Sequence, residues 1–318
     1  MQKNKKLGCI ALLFCSPTVM AMQPLDDKSL AQTTGQDGIN IGVGVTKVQM
    51  NQLSIIDTDG LGSTPSATAR ASLVMAGKSF STLADQAFDV SFIGASSTAP
   101  TLNLVLDADA DGGSGKPFAN IGVSFATGVT GIKVSPFAFY LAGYGSTSTP
   151  TAMQSIFIGT TAQQSDVNKF MRFDDGIDIN FASVKPVLNV QLGNTPQSSL
   201  IRFGGAIQSI CGTGNGCSIS LLSDNSDVGA SFKFQFKGTD AGGFSLNGFS
   251  AGVDPTGFTF ANTGTSSKFD VALNQMTMGT NNATSATGAF NSLANGSMGN
   301  FGAVGATVTD LKMKISGF

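Results

Sequence analysis

Residues 231–237 read Ser-Phe-Lys-Phe-Gln-Phe-Lys, which puts Phe232, Phe234 and Phe236 on one face of an extended chain and polar residues on the other. A period of two is the geometry of a half-buried β-strand; a helix would scatter the three rings around its circumference. The alternation recurs at Ile39, Ile41, Val43 and Val45, at Leu102, Leu104 and Leu106, at Phe137 and Phe139, at Ile177 and Ile179, and through 187–192. Clusters of Gly, Asn, Asp and Ser separate these runs, as antiparallel hairpins require. The expected fold is all-β, a curled antiparallel sheet or a β-sandwich, preceded by one short helix. That helix is expected within 22–38, where Asp26 or Asp27 can cap it, Leu25 and Leu30 can pack, and Gly35 can end it.

Composition points the same way. All 20 acidic residues are Asp, and the chain has neither His nor Trp. Glu is a good helix former, whereas Asp prefers caps and turns, so its exclusive use disfavours helical folds. Without His there is no imidazole base, no Ser–His dyad and no common zinc site, so an enzyme is not expected. Charged residues make up only 12% of the chain, about half the usual share, which leaves the surface to Ser, Thr, Asn, Gln and Gly.

The first 21 residues read as an export signal. Lys3, Lys5 and Lys6 form a basic start, residues 7–15 a short apolar core, and Val19-Met20-Ala21 a small-x-small cleavage site. The apolar run is far shorter than the roughly 20 residues of a membrane span. Cleavage removes three Lys and no acid, leaving 15 basic and 20 acidic residues, a net charge of −5. That surface is not one for nucleic acid. Cys9 and Cys15 leave with the signal. Cys211 and Cys217, flanking Gly-Thr-Gly-Asn-Gly, are then expected to form a disulfide at a hairpin tip in an oxidising compartment. Residues 39–318 are expected to form one β domain, with polar stretches near 145–168 leaving room for a subdivision.

Several strands open with Gly before an apolar residue: GINI at 38, GIKV at 131, GIDI at 176, GFSL at 243 and GFTF at 257. Their uneven spacing argues against a solenoid of one fixed repeat. The triplets SMG-NFG-AVG at 297–305 are expected to mark tight turns.

Among chemical candidates, Asp107, Asp109, Asp111 and Gly112 copy the first half of a Ca²⁺ loop, because alternate carboxylates can converge on one hard cation. Position twelve of that loop is Phe118, so the second half is missing. The competing account is a solvated strand end, with Leu102, Leu104 and Leu106 turned to the core. Asp174, Asp175 and Asp178, near Arg172, form a second acidic group for which turn and edge charge is the simpler role. The segment Ile39, Ile41, Val43, Val45 could exchange into another subunit's sheet, although an ordinary first strand of the same domain is the simpler explanation. Tyr140 and Tyr144, with Gly143 and Gly145, could form a contact patch of a binding module, against the alternative of core packing. A transmembrane barrel lacks its aromatic girdle here, since the chain has only two Tyr and no Trp.

Six phrases carry a family resemblance: LDDKSLAQTTGQDGI at 25–39, LDADADGG at 106–113, LNVQLGNTPQSSLIRF at 188–203, LLSDN at 221–225, GFSLNGFSAGVDPTGFTF at 243–260 and the ending GAVGATVTDLKMKISGF. Together they resemble the FilA-type pilus-system proteins of Gram-negative bacteria, over nearly the whole exported chain. The resemblance implies an exported, non-enzymatic structural or assembly component whose partners are other proteins of that system. It transfers no site residues. The alternative class is a β-rich adhesin that binds glycan or protein.

Overall fold

The computed structural model describes residues 38–57, 71–78, 87–110, 116–143, 167–193, 197–222, 228–280 and 296–316. Among these every regular element is a strand, and no helix is long and apolar enough to cross a membrane. The chain divides into a segment Met1–Ile39 and a body Asn40–Phe318. The export signal and the helix expected within 22–38 lie outside the described residues, as does most of 145–168.

The chain makes four similar passages. The first holds β1 (Ile39–Val43), β2 (Lys47–Met50), β3 (Gln52–Asp57), β4 (Ala71–Gly77), β5 (Phe88–Ile93) and β6 (Leu102–Asp109). The second holds β7 (Phe118–Phe125), β8 (Gly131–Val134), β9 (Phe137–Gly143), β10 (Val167–Phe173), β11 (Ile177–Phe181) and β12 (Val187–Gly193). The third holds β13 (Ile201–Gly204), β14 (Ala206–Ile210), β15 (Cys217–Leu222), β16 (Val228–Gly238), β17 (Phe244–Ser245) and β18 (Phe249–Asp254). The fourth holds β19 (Gly257–Asn262), β20 (Phe269–Thr280), β21 (Ser297–Ala306) and β22 (Lys312–Ile315).

Pairing sorts these strands into two sheets. The first and last strands of each passage make an eight-stranded ladder, β1-β6-β7-β12-β13-β18-β19-β22. The fourteen-stranded sheet contains two runs. One is a set of crossing strands, each antiparallel to the next: β2, β5, β8, β11, β14 and β17. The other is an antiparallel hairpin ladder, β3-β4-β9-β10-β15-β16-β20-β21. In the fourth passage two irregular segments replace the crossing strands, joined by a bridge between Thr265 and Thr309. The structure is therefore periodic in topology, although its repeats differ in length. The unequal lengths agree with the uneven glycine spacing, which argued only against one fixed repeat.

Side-chain alternation explains which faces meet. In the crossing run Val48, Val90, Val134 and Ile177 fall in one cross-strand row. Phe92, Ile132, Ile179 and Ile210 fall in a second row on the same face. Lys47, Ser91, Lys133 and Asp178 form the opposite, polar face. The eight-stranded ladder carries a matching row, Leu106, Ile121, Val190, Ile201, Ala251, Phe260 and Met313. The apolar faces touch through Phe125, whose ring lies 4.5 Å from Phe181, and through Phe249, 5.8 Å from Phe244. Rows of branched and aromatic residues at adjacent strands are the unit of sheet stabilisation.

Two expectations are corrected. The Gly triplets at 297–305 lie in a strand, β21, not in turns. The first strand ends at Val43; Val45 sits in the following corner, where the buried Thr101 hydroxyl donates to its carbonyl at 2.7 Å and accepts from its amide at 3.2 Å.

Corners between runs demand glycine at particular points. Gly176 and Gly205 each have φ near +74°, and a Cβ there would collide with the carbonyl oxygens of Val134 and Lys185 respectively. An L side chain meets both backbone strain and backbone atoms that cannot retreat. Gly214 also has positive φ but open space around it. Gly176→Ala and Gly205→Ala are each expected to lower stability by about 2–4 kcal/mol, and Gly214→Ala by about 1 kcal/mol. Urea unfolding midpoints of the three variants test this order.

Candidate functional site

Cys211 and Cys217 are joined by a disulfide. It does not close a hairpin tip as expected, because β14 and β15 are not paired with each other. Both instead pair with one edge of β16: Ser209 and Ile210 stand opposite Lys237 and Phe236, and Cys217 stands opposite Phe234. The two strands thus lie end to end along β16, and the disulfide clamps the chain between them. This is where the crossing run and the hairpin ladder join. Beneath it lies an apolar concavity of about 320 Å³, lined by residues that include Phe173, Ile210, Cys211, Ile219, Phe232 and Phe234.

Asp178 packs against this disulfide, with Oδ1 3.7 Å from Cys217 Sγ, and accepts a hydrogen bond from Asn180 Nδ2 at 2.8 Å. Asp178, Cys211 and Cys217 are the one group of three metal-capable side chains among the described residues. The two sulfurs are bonded to each other, so neither is the thiolate a metal needs, and the donor set does not fit an ion.

The neighbouring carboxylates hold a second corner. Asp174 pairs with Arg172 Nε at 2.8 Å, and its amide donates to the Ser218 carbonyl at 2.9 Å. Asp175 Oδ2 accepts the Ser218 amide at 3.0 Å. These side chains satisfy backbone groups where β10 turns into β11, the work expected of Asp in a turn.

The remaining candidates separate in space. Asp107 and Asp109 are exposed on β6 while Leu102, Leu104 and Leu106 turn inward, as the alternation implies. Asp107 accepts the Ala108 amide at 2.8 Å, and Asp111 lies outside the described residues. Ile39, Ile41 and Val43 form the edge strand β1 of the eight-stranded ladder. Tyr140 is only 1% exposed, and its hydroxyl donates to the Gly77 carbonyl at 2.8 Å. That places it in the core with Val74, Ala76, Ala138, Ala142 and Val167, not on a contact patch. Tyr144 lies outside the described residues.

A site that sequence reasoning missed lies on the opposite face of the eight-stranded ladder. A cleft of about 640 Å³ is lined by Gln191, Ser198, Ser199, Ser250, Asp254, Thr259 and neighbouring backbone. Its floor is an amide relay: Gln191 Nε2 donates to Asn120 Oδ1 at 3.1 Å, and Gln191 Oε1 accepts the Gln197 amide at 3.0 Å. Asn189 Nδ2 in turn donates to Gln197 Oε1 at 3.1 Å. Asn189 Oδ1 and Ser199 Oγ are buried without a hydrogen-bond partner. On the rim, hydrogen bonds from the Thr256 hydroxyl and then its amide hold the Asp254 carboxyl below the usual carboxylate range, with Lys314 adding a smaller pull. The available signal was the outward pair Asn189 and Gln191, followed six residues after Gln191 by Gln197-Ser198-Ser199.

A protein family described as a family of unknown function, DUF6160, is similar to residues 1–91. The similarity ends inside β5, before the second passage begins. No curated protein and no solved structure matches the chain.

Two outcomes follow from this geometry. Replacing Cys211 and Cys217 together by Ala is expected to cost about 2 kcal/mol, the loop-closure value for so short a loop, read as a lower urea midpoint of the oxidised protein. In an NMR titration the Asp254 carboxyl is expected to remain ionised at a pH where an ordinary Asp is half protonated, and Thr256→Ala is expected to raise its midpoint. Because its folded pKa is depressed, its contribution is present above the ordinary carboxylate range and fades as pH falls through the folded pKa.

Proposed function

We propose that this chain is an exported, non-enzymatic structural or assembly component of a pilus or related surface-appendage system. The observation that carries the reading is architectural: repeated passages build antiparallel ladders, and a disulfide clamps the point where two runs join. Such a clamp suits the oxidising space beyond the inner membrane. The export signal read at 1–21 and the FilA-type phrases support the same placement, in the periplasm, at the outer membrane or on the cell surface. Weakly charged faces of Ser, Thr, Asn and Gly suit a subunit that works among other proteins of such a system. We read the two sheets as the faces of a curled sandwich, on the strength of the Phe125–Phe181 and Phe244–Phe249 contacts.

The second reading is a surface adhesin, and one observation favours it. The cleft over Gln191 is lined by an amide, hydroxyls and a carboxylate, with the Ser199 hydroxyl buried there without a hydrogen-bond partner, a set suited to a polyhydroxylated ligand such as a glycan.

A deletion strain viewed by electron microscopy separates the two. Loss of surface fibres is the expected result. Normal fibres with lost attachment would instead favour the adhesin, and Gln191→Ala would then abolish glycan capture by the purified protein.

A further inference from the structure

Among the described residues, the first and last strands of the eight-stranded ladder and of the hairpin ladder are complementary in direction. Strands β1, β7, β13 and β19 each lead out of the eight-stranded ladder into a crossing, and β6, β12, β18 and β22 each return to it. The next strand after β22 in this pattern would run like β1. By the same count, the strand after β21 in the hairpin ladder would run like β3. The first described strand of each of these two ladders, β1 and β3, is of the kind that its last strand calls for.

Both edges expose apolar side chains, as do some interior positions such as Val184 and Val253. At the first edge Ile41, Val48 and Leu53 are exposed, and Ile55 is 71% exposed. At the last edge Phe301, Met313 and Ile315 are exposed, and Val304 is 87% exposed. The inward row that runs from Leu106 through Val190 and Phe260 stops at Met313, where nothing among the described residues covers it. A sheet edge is usually blunted by charge or proline, yet β1 and β21 carry neither. Apart from Lys47 on β2, which pairs with Asp89, the charges at the two ends are opposite in sign. Lys312 and Lys314 lie on β22, turned away from Met313 and Ile315, whereas the first end carries Asp57 on β3 and Asp107 and Asp109 on β6. Asp107 follows Leu106 and Lys314 follows Met313, so acid and base occupy the same row on the same face.

We propose that a second copy of this chain docks its β1, β2 and β3 end against the β21 and β22 end, continuing both ladders head to tail. Backbone hydrogen bonds would supply the attraction and the apolar rows the register. The interface joins two different surfaces, so it adds copies head to tail and propagates as an open filament wherever its rotation does not close a ring. This deepens the appendage reading by naming the partner. Self-association of purified protein tests the docking, and fibres in the deletion strain test the appendage role, so either can fail alone.

The test uses the exported chain in sedimentation velocity over a concentration series. Wild-type protein is expected to gain mass with concentration beyond a dimer. A first-edge variant, Leu53→Lys with Ile55→Lys, and a last-edge variant, Phe301→Lys with Val304→Lys, are each expected to stay monomeric. Mixed together they are expected to give a complex of twice the monomer mass, because one intact edge of each kind remains. A wild type that stays monomeric, or a mixture that does not associate, overturns the proposal. So does either variant dimerising by itself, which would mean that like ends meet. Assembly that survives in both variants but vanishes when residues 22–37 are deleted would assign the edge to that segment instead and would likewise overturn it. Should either variant lose its cooperative thermal unfolding, Val48→Lys on β2 and Ile315→Lys on β22 replace them.

Discussion

Inside each ladder a described strand pairs on one side with a strand of its own passage and on the other with a strand of the adjoining passage. The hairpin β9–β10 is flanked by β4 on one side and β15 on the other, and every one of these pairs is antiparallel, with a register shift between Lys169 and Met171 within the hairpin. A lone two-stranded hairpin is marginal in water, so the unit that folds must span several passages. Stability of this kind adds up from nearest-neighbour terms along one direction, as in solenoid proteins. The large side chains serve that arrangement more than a central core. Phe137 stacks on Phe173 at 4.4 Å, across the interface between β9 and β10, and Phe236 stacks on Phe269 at 5.1 Å, across β16 and β20. Aromatic pairs across strands add about 0.5–1.5 kcal/mol each beyond area burial.

Pairing of this kind sets the demands on corners. Each passage turns several times between runs, and each turn leaves backbone groups that must be satisfied locally. The exclusive use of Asp over Glu fits that need, since the shorter carboxylate reaches nearby amides. Asp175 holds the Ser218 amide, Asp254 holds Thr256, and Asp310 Oδ1 accepts the Gly264 amide at 2.8 Å. Where β14 gives way to β15 along the same edge of β16, the excursion between them is closed covalently instead.

Period-two patterns made the strands themselves legible. Leu102, Leu104 and Leu106 turn inward as read, and Ile177 and Ile179 lie in the apolar crossing face. The repeat was half visible. GIKV, GIDI and GFSL are three of the six crossing strands, β8, β11 and β17, each opened by glycine. Their uneven spacing hid the relation because the intervening hairpins differ in length, and topology constrains pairing without constraining loop length. Which strand pairs with which was not readable, since partners such as Asn189 and Gly122 are far apart in sequence and local pattern does not encode them. The disulfide partners were legible from spacing, but their setting was not: only the third strand, β16, makes 211–217 a corner. Tyr140 shows the limit for single side chains. Flanking glycines suggested a surface, whereas its strand neighbours Ala138 and Ala142 leave room to bury the ring.

Arrays of repeats need ends, and solenoids that stay monomeric place polar capping elements there. Here the terminal strands resemble internal ones. β1 reads Ile-Asn-Ile-Gly-Val, and β21 is built from Gly and apolar residues. One device does limit promiscuous pairing. The β20–β21 pair shifts register at several points, and Gln275 adopts φ near +54° within it. Bulges strengthen local twist and spoil the fit of an arbitrary flat strand. An edge that is apolar, uncharged and twisted in a particular way rejects most strands while remaining open to one of matching twist and polarity. The strand type with that polarity is the one at the other end of the same chain.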